Sequence, residues 1–243
     1  MAGTTLSTLK EKINDNLKDA YFSSNHANEL VRAVNLALAD INVGETGDNT
    51  KEVAYDFQRQ QMNISYIKDT YDYTFTTANF KFPADLRVAT DEDEVFSYVD
   101  TNYFFRKKGV FSSSEKMFAF LYNGNTLTLK INHDTTETLN FDYYSTDMVL
   151  DDDATTRKAE VEDDADKFLM PDRYIPVLLE LTLAYLYYQL KGLNSLDYKN
   201  HLQEGRVRLK RMINAIGVER RLAVQRVMIK SEMGHTLRRI TTT

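Results

Sequence analysis

The stretch Val177–Leu190, VLLELTLAYLYYQL, decides the fold, because only Glu180, Thr182 and Gln189 interrupt its apolar residues. Pro176 directly before it predicts a helix start, since a proline at the first helical position removes an N–H that has no partner within the helix. A helix that is apolar on nearly every side is buried on every side, and at ~21 Å this one is too short to span a bilayer. We therefore predict that neighbouring copies of the chain help to cover it. The predicted contact residues are Leu179, Leu183, Leu186, Tyr187 and Leu190.

Three further helices are predicted around this one. An amphipathic helix begins near Ser195, and its apolar seam is Tyr198, Leu202, Gly205, Leu209, Met212 and Ile216, with Gly217 as a left-handed terminator. Near the N-terminus, apolar residues at spacings of three and four predict one helix over residues 5–20, capped by Thr4 or Thr5, and another over 25–41, capped by Asn25. We interpret residues 1–50 and 167–217 as the two parts of one helical domain.

Between these parts the hydrophobic period changes from helical to two. Alternating apolar residues run through 71–75, 118–122, 127–131 and 139–143, which is typical of antiparallel strands with one buried face. Tyr122-Asn123-Gly124-Asn125 predicts a tight hairpin, because Asn-Gly tolerates positive φ angles. The sequence therefore predicts an α+β protein: a helical bundle with an antiparallel β-sandwich or barrel inserted at residues 51–150.

Charge is distributed unevenly along the chain. Residues 151–166, DDDATTRKAEVEDDAD, hold eight acids and two bases, and we interpret them as a solvated acidic linker rather than a calcium loop, since the EF-hand pattern is missing. Residues 201–243 carry ten Lys and Arg against three Glu, whereas the whole chain has a net charge of −6. We interpret residues 218–243 as a basic docking tail. Its candidate contact residues are Arg220, Arg221, Leu222, Val224, Arg226, Val227, Ile229, Lys230, Arg238 and Arg239.

Motifs for catalysis and for cofactor binding are absent from the sequence. The chain has no cysteine, and it lacks the GxSxG, P-loop, GxGxxG and HExxH patterns. Its four histidines, His26, His133, His201 and His235, lie in four separate segments. We therefore predict no catalytic, cofactor or metal residues, and a protein that is not an enzyme.

Four local stretches, taken in this order, carry a resemblance to a known family. Phe82–Arg87, FPADLR, ends a predicted strand, and Leu139–Tyr144, LNFDYY, is a predicted closing strand followed by Leu150. Phe168–Pro171 with Tyr174 leads into the long apolar helix, and Tyr198–Leu202 has a Y-x-x-x-L spacing in the last helix. In this order they resemble the strand-ending segment, the closing strand, the entry into the ring-forming helix and the Y-x-x-x-L helix of the head-to-tail adaptor (connector, head-completion) proteins of tailed bacteriophages.

The resemblance implies a concrete role. Such adaptors form a ring, commonly of twelve copies, below the portal, and their helical part surrounds the channel through which double-stranded DNA passes. It further implies that the C-terminal extension docks on the portal, that the β domain meets tail or neck proteins, and that the protein resides in the virion neck after synthesis in the host bacterial cytoplasm.

Two other interpretations remain open at this point. One is a different structural tail or neck protein, such as a tail terminator. The other is a glycan hydrolase that uses two of the many carboxylates as its catalytic pair. No spacing between carboxylates in the sequence points to such a pair.

Overall fold

A computed structural model describes residues 3–19, 21–46, 53–77, 79–107, 115–153 and 155–219. These residues form a mixed α+β structure. The helices are α1 (Leu6–Leu17), α2 (Phe22–Asn25), α3 (Ala27–Val43), α4 (Thr101–Lys107), α5 (Ile175–Lys191) and α6 (Leu196–Ile216). The strands are β1 (Val53–Tyr55), β2 (Arg59–Tyr66), β3 (Asp72–Thr76), β4 (Phe80–Val88), β5 (Asp91–Val95), β6 (Ser97–Tyr98), β7 (Met117–Asn123), β8 (Thr126–Asn132), β9 (Glu137–Ser145), β10 (Val149–Leu150), β11 (Arg157–Lys158), β12 (Lys167–Phe168) and β13 (Gly217–Glu219).

The chain divides into two compact units. The first comprises the described residues within Met1–Gln58 and Thr146–Val218, and the second comprises those within Arg59–Ser145 together with Glu219. The β domain predicted at 51–150 therefore has different limits, because Val53–Gln58 and Thr146–Leu150 belong to the first unit. Both segments carry buried residues, including Tyr55 and Val149, that lie in the core of the first unit.

Apolar residues at helical spacing build the core of the first unit. Leu6, Leu9 and Ile13 of α1 are fully buried, and the Thr5 side chain accepts a hydrogen bond from the Thr8 N–H, as predicted for the helix cap. α3 buries the predicted stripe of Leu30, Val34, Leu38 and Ile41. These side chains pack in one cluster with those of α5 and α6.

The helix ends depart from the sequence-based expectations. Asn25 ends the short helix α2, and α3 begins at Ala27 without a side-chain cap. The sequence predicts a left-handed terminator at Gly217, but the φ of −76° and ψ of 136° of this residue are extended. It opens strand β13, which pairs with β1. The Gly217 N–H still donates to the Ile213 C=O, so the last turn of α6 closes without a left-handed residue.

The predicted acidic linker is instead a folded part of the first unit. Residues 151–166 include β11, which pairs antiparallel with β10, and β10 pairs with β12 on its other side. Val161 and Asp166 are buried. The Asn35 side chain of α3 bonds both the N–H (2.9 Å) and the C=O (3.1 Å) of Val161. These partners, which lie far away in the sequence, hold a segment whose composition alone indicates solvation.

Two four-stranded sheets make up most of the second unit. Their strand orders are β2-β9-β4-β5 and β3-β8-β7-β6, with antiparallel pairs throughout except the parallel pair β6–β7. One hydrophobic cluster draws side chains from both sheets, among them Leu86, Phe118, Leu129 and Phe141. The hairpin between β7 and β8 turns at Gly124, whose φ is 62°, as the Asn-Gly pair predicts. No closed barrel forms among the described strands.

Candidate interaction surface

Two of the five predicted contact residues of α5 are covered within the chain. Leu183 and Leu186 are only 2% and 1% exposed. α5 packs against α3 and α6, and these helices supply the cover that the sequence analysis assigned to neighbouring copies. The assignment of Leu183 and Leu186 to a subunit contact is therefore wrong. Leu179 and Tyr187 are half-buried, and Leu190 is exposed.

α6 covers α5 through the apolar seam that the sequence predicts. Gly205, Leu209 and Met212 are buried, and Leu202 and Ile216 pack partly buried against the same core. Gly205 permits the closest approach of the two helices, since a Cβ there would lie 2.6 Å from Leu181 Cδ2. Without this approach, Leu181 and its neighbours on α5 would face water.

Apolar side chains are exposed where α5 ends and α6 begins. The exposed fractions are 41% for Tyr188, 44% for Leu190, 60% for Leu193 and 70% for Leu196. We call these four residues the tip surface. They lie within nine consecutive positions of a helical hairpin, and the sequence analysis identified only Leu190 among them. Leu193 and Leu196 escaped notice because they lie outside any periodic pattern.

The backbone under the tip surface is held in place by specific contacts. Lys191 Nζ lies 2.9 Å from Asp197 Oδ2 and so joins the end of α5 to the start of α6. The Ser195 side chain accepts a hydrogen bond from the Tyr198 N–H and caps α6. The rings of Tyr188 and Tyr198 pack 5.7 Å apart. The exposed leucines therefore project from an ordered turn.

The exposed areas of the four tip-surface side chains add up to the range of a single apolar patch. If each of its side chains offers about 200 Å² when fully exposed, the exposed part amounts to about 400 Å². The largest apolar patch of a typical monomer is about 300–600 Å² and is often functional. A standard protein interface buries about 800 Å² on each partner. The tip surface could thus form the centre of an interface but not the whole of it.

A polar cluster joins three helices of the same unit. The Tyr185 hydroxyl of α5 donates a hydrogen bond to Asp40 of α3, and Arg206 of α6 lies 3.8 Å from Glu45. Burial raises the pKa of Asp40, although the Tyr185 hydroxyl and Arg206 partly oppose that shift. This cluster links α3, α5 and α6, and the Nε atom of Arg206 within it is buried without a hydrogen-bond partner among the described residues.

A lysine side chain lies against two of the three carboxylates that have metal-ligand spacing. Asp151, Asp163 and Asp166 each place a carboxylate oxygen within 4.8 Å of the others. Lys158 Nζ lies 2.9 Å from Asp151 Oδ1 and 2.9 Å from Asp166 Oδ2. Its ammonium group offsets one of the three negative charges from inside the chain, and the carboxylates of Asp166 and Asp151 raise the pKa of Lys158 despite its desolvation.

The second unit has two charged clusters that the sequence analysis did not identify. Asp142 is buried and forms ion pairs with Arg59 and Arg87. His133, buried in the loop between β8 and β9, bonds Glu137 four residues later. The spacing of four could have flagged the second pair, whereas the first depends on strand register. Arg59 and Arg87 pair with the carboxylate of Asp142 within the unit. The Nδ1 atom of His133 is buried without a hydrogen-bond partner in the described part of the chain.

The ten predicted docking residues between Arg220 and Arg239 lie outside the described part of the chain. Among the described helices, none combines the length and apolar character needed to cross a membrane.

Comparison with protein-family models and with curated protein sequences yields no match to this chain.

Proposed function

We propose that this chain is a structural subunit that assembles into a ring in the neck of a tailed bacteriophage. The observation that carries the proposal is the tip surface, in which Tyr188, Leu190, Leu193 and Leu196 are 41–70% exposed on an ordered helical turn. Exposure of this kind costs solubility unless a partner covers it. In a homo-oligomer, a neighbouring copy is the partner that is always present.

The order of the parts supports the same proposal. The helical unit is interrupted at residues 58 and 146, and the β unit occupies the interval. In this proposal α1, α3, α5 and α6 form a helical bundle, and the two four-stranded sheets form an inserted sandwich. This arrangement agrees with the resemblance to head-to-tail adaptors, which rests on segments of both units.

The proposed partners follow from the distribution of charge. Residues 1–200 are strongly acidic, so a ring lined by them would repel DNA and let it slide through the lumen. The basic tail, from Arg220 to Arg239, would dock on acidic grooves of the portal, and the β unit would face tail or further neck proteins. We propose a ring of twelve copies in the virion neck.

The ring is tested by paired substitutions on the tip surface. The double variant Leu193→Asp/Leu196→Asp places two charges where apolar contact is proposed, and it should stop assembly because buried unpaired charges are costly. Leu121→Asp is the matched control, since Leu121 is 46% exposed on the β unit. Light scattering and negative-stain electron microscopy of the full chain, with and without portal, measure the assembly.

The expected result is a ring for the wild type and for Leu121→Asp, and a folded chain that forms no ring for the double variant. A ring of undiminished mass in the double variant would show that the tip surface is not the contact. A wild type that forms no ring, either alone or with the portal, would overturn the ring itself.

Docking on the portal is tested by truncation after Glu219, which retains the pairing of β13 with β1. If the tail binds the portal, the truncated chain should fail to assemble on purified, DNA-free portal. If the tail instead binds DNA, assembly on the portal should persist, and a salt-sensitive DNA association should be lost.

A further inference from the structure

Among the described strands, none pairs with the outer edge of β2. The Ala89 N–H donates to the Thr138 C=O at 2.9 Å, so the even-numbered residues of β9 direct their backbone groups towards β4. Backbone direction alternates along an antiparallel strand, so Leu139, Phe141 and Tyr143 bond to β2. Their partners there are Ile64, Met62 and Gln60. Gln61, Asn63 and Ser65 therefore direct their N–H and C=O groups away from the sheet, and no described strand lies beyond them.

This edge lacks the features by which proteins protect exposed strands. The pairing of β2 with β9 runs over eight consecutive residue pairs without a bulge. Its central residues, Gln60–Ser65, contain no charge and no proline. The opposite edge of the same sheet is protected, because β5 has a register shift against β4 and carries exposed Asp91 and Asp93. A long, regular, uncharged edge is a template for another strand.

The side chains of β2 suit a strand that lies beside it. Met62 is only partly buried although it packs on the core of the β unit, and Ile64 next to it on the same face is buried. Gln61, Asn63 and Ser65 are exposed on the other face. An added strand with an apolar residue beside Met62 and polar residues beside Gln61 would extend both faces of the sheet.

We propose that β2 pairs antiparallel with β2 of a second copy, with the twofold axis at Asn63. In this register Met62 lies opposite Ile64 of the second copy, Gln61 lies opposite Ser65, and the two Asn63 amides face each other. The residues that meet across the axis on the bonding side are the ones whose backbone groups point away from β9. Arg59, the only charged residue of β2, lies opposite Ile67, so no like charges meet.

This pairing is independent of the proposed ring. A twofold contact is closed and joins two copies only, whereas a ring needs two different surfaces on each copy. The pairing could join free subunits or two rings through their β units. Crosslinking at residue 63 therefore tests this pairing and not the ring.

The natural absence of cysteine makes a direct test possible. Asn63→Cys introduces a single thiol at the proposed axis, where directly opposed Cα atoms of a bonded pair lie about 5.5 Å apart, within the range of a disulfide. Thr74→Cys on the edge strand β3 is the matched control, because Thr74 is likewise exposed. Both full-length variants are incubated with oxidised glutathione at low protein concentration and analysed on denaturing gels.

The expected result is a covalent dimer of Asn63→Cys that forms at least about tenfold faster than that of Thr74→Cys, because pairing raises the effective thiol concentration. Equal rates for the two variants would overturn the proposal. The proposal would also be overturned if a strand of another protein occupied the edge of β2, because Asn63→Cys would then form no crosslink.

A charge exchange provides an independent measurement. Asn63→Lys places two ammonium groups against each other and should abolish the pairing, whereas a mixture of Asn63→Lys with Asn63→Asp should restore it as a heterodimer. Analytical ultracentrifugation of each variant and of the mixture measures this. A mixture that fails to associate while wild type does would overturn the placement of the axis.

Discussion

Gly205 of α6 and Leu181 of α5 approach so closely that a β-carbon on the glycine would lie 2.6 Å from Leu181 Cδ2 and 2.9 Å from its Cγ. The glycine therefore sets the distance between the two helices that cover most of the helical core.

Gly205→Ala should lower the free energy of unfolding by up to about 2 kcal/mol, because the added methyl group overpacks the contact at a cost of about 1–3 kcal/mol, whereas alanine gains only about 1 kcal/mol in helix propensity. Urea denaturation of the full chain measures this. In a Leu181→Ala background the same change should become neutral or mildly stabilising. An equal loss in both backgrounds would mean that the contact with Leu181 is not the cause.

At Gly124 the backbone conformation, and not the available space, limits which residue types are tolerated. Its φ is 62°, and a β-carbon added to it would meet nothing within 4 Å. Gly124→Ala should cost about 1–2 kcal/mol, the penalty of a left-handed conformation for a residue with a side chain. Asn125→Ala at the adjacent turn position is the control. Equal losses for the two variants in denaturation would contradict this account.

Asp166 should make stability depend on pH. Burial alone would raise the pKa of Asp166, but hydrogen bonds from the N–H groups of Asp163 and Glu162, together with Lys158, outweigh it and hold the pKa below its ordinary value of 3.8. A group with a lowered pKa binds fewer protons in the folded state than in the unfolded state. Its stabilisation is therefore present at neutral pH and is lost as the pH falls below about 4.

Asp166→Asn should consequently lower the free energy of unfolding by about 2 kcal/mol at pH 7, since it removes charge-assisted hydrogen bonds. The difference from wild type should shrink at pH 3. Asp152→Asn, at an exposed position of the same segment, is the control. A deficit that stays constant between the two pH values would contradict the sign of the pKa shift.

Asn35 should hold the acidic segment onto α3. Its side chain accepts from the Val161 N–H and donates to the Val161 C=O, in the way that a neighbouring strand would. Asn35→Ala should cost about 1–3 kcal/mol and should speed proteolysis within residues 151–166, because the buried backbone of Val161 loses both partners. Asn28→Ala, exposed on the same helix, should change neither.

Hydrophobic periodicity predicted the helices and strands that bury only one face. The stripes of α1, α3 and α6, the alternating strands and the turn at Gly124 all follow from residue spacing, because each pattern matches one repeat of the backbone. The mixed α+β class could therefore be predicted from the sequence.

The features that were not predicted depend on contacts between residues far apart in the chain. Leu183 and Leu186 are covered in a helical core whose extent no local pattern reveals. The folded state of residues 151–166 depends on Lys158 and on Asn35, the latter 126 positions from Val161. The tip surface lies at a turn, where periodicity carries no information, and the open edge of β2 appears only once strand order is known.

The interruption of the helical unit has a consequence for synthesis on the ribosome. Helices α1 and α3 emerge first, but α5, which buries their apolar faces, is encoded beyond a contiguous insertion of about 90 residues. The interval between α3 and α5, which is 131 residues long, lasts roughly 7–26 s at about 5–20 residues per second. During it the nascent helices display their core stripes, while the β unit already has every strand of its own sheets. A chaperone that shields the N-terminal segment on the ribosome would therefore act on α1 and α3 before α5 arrives.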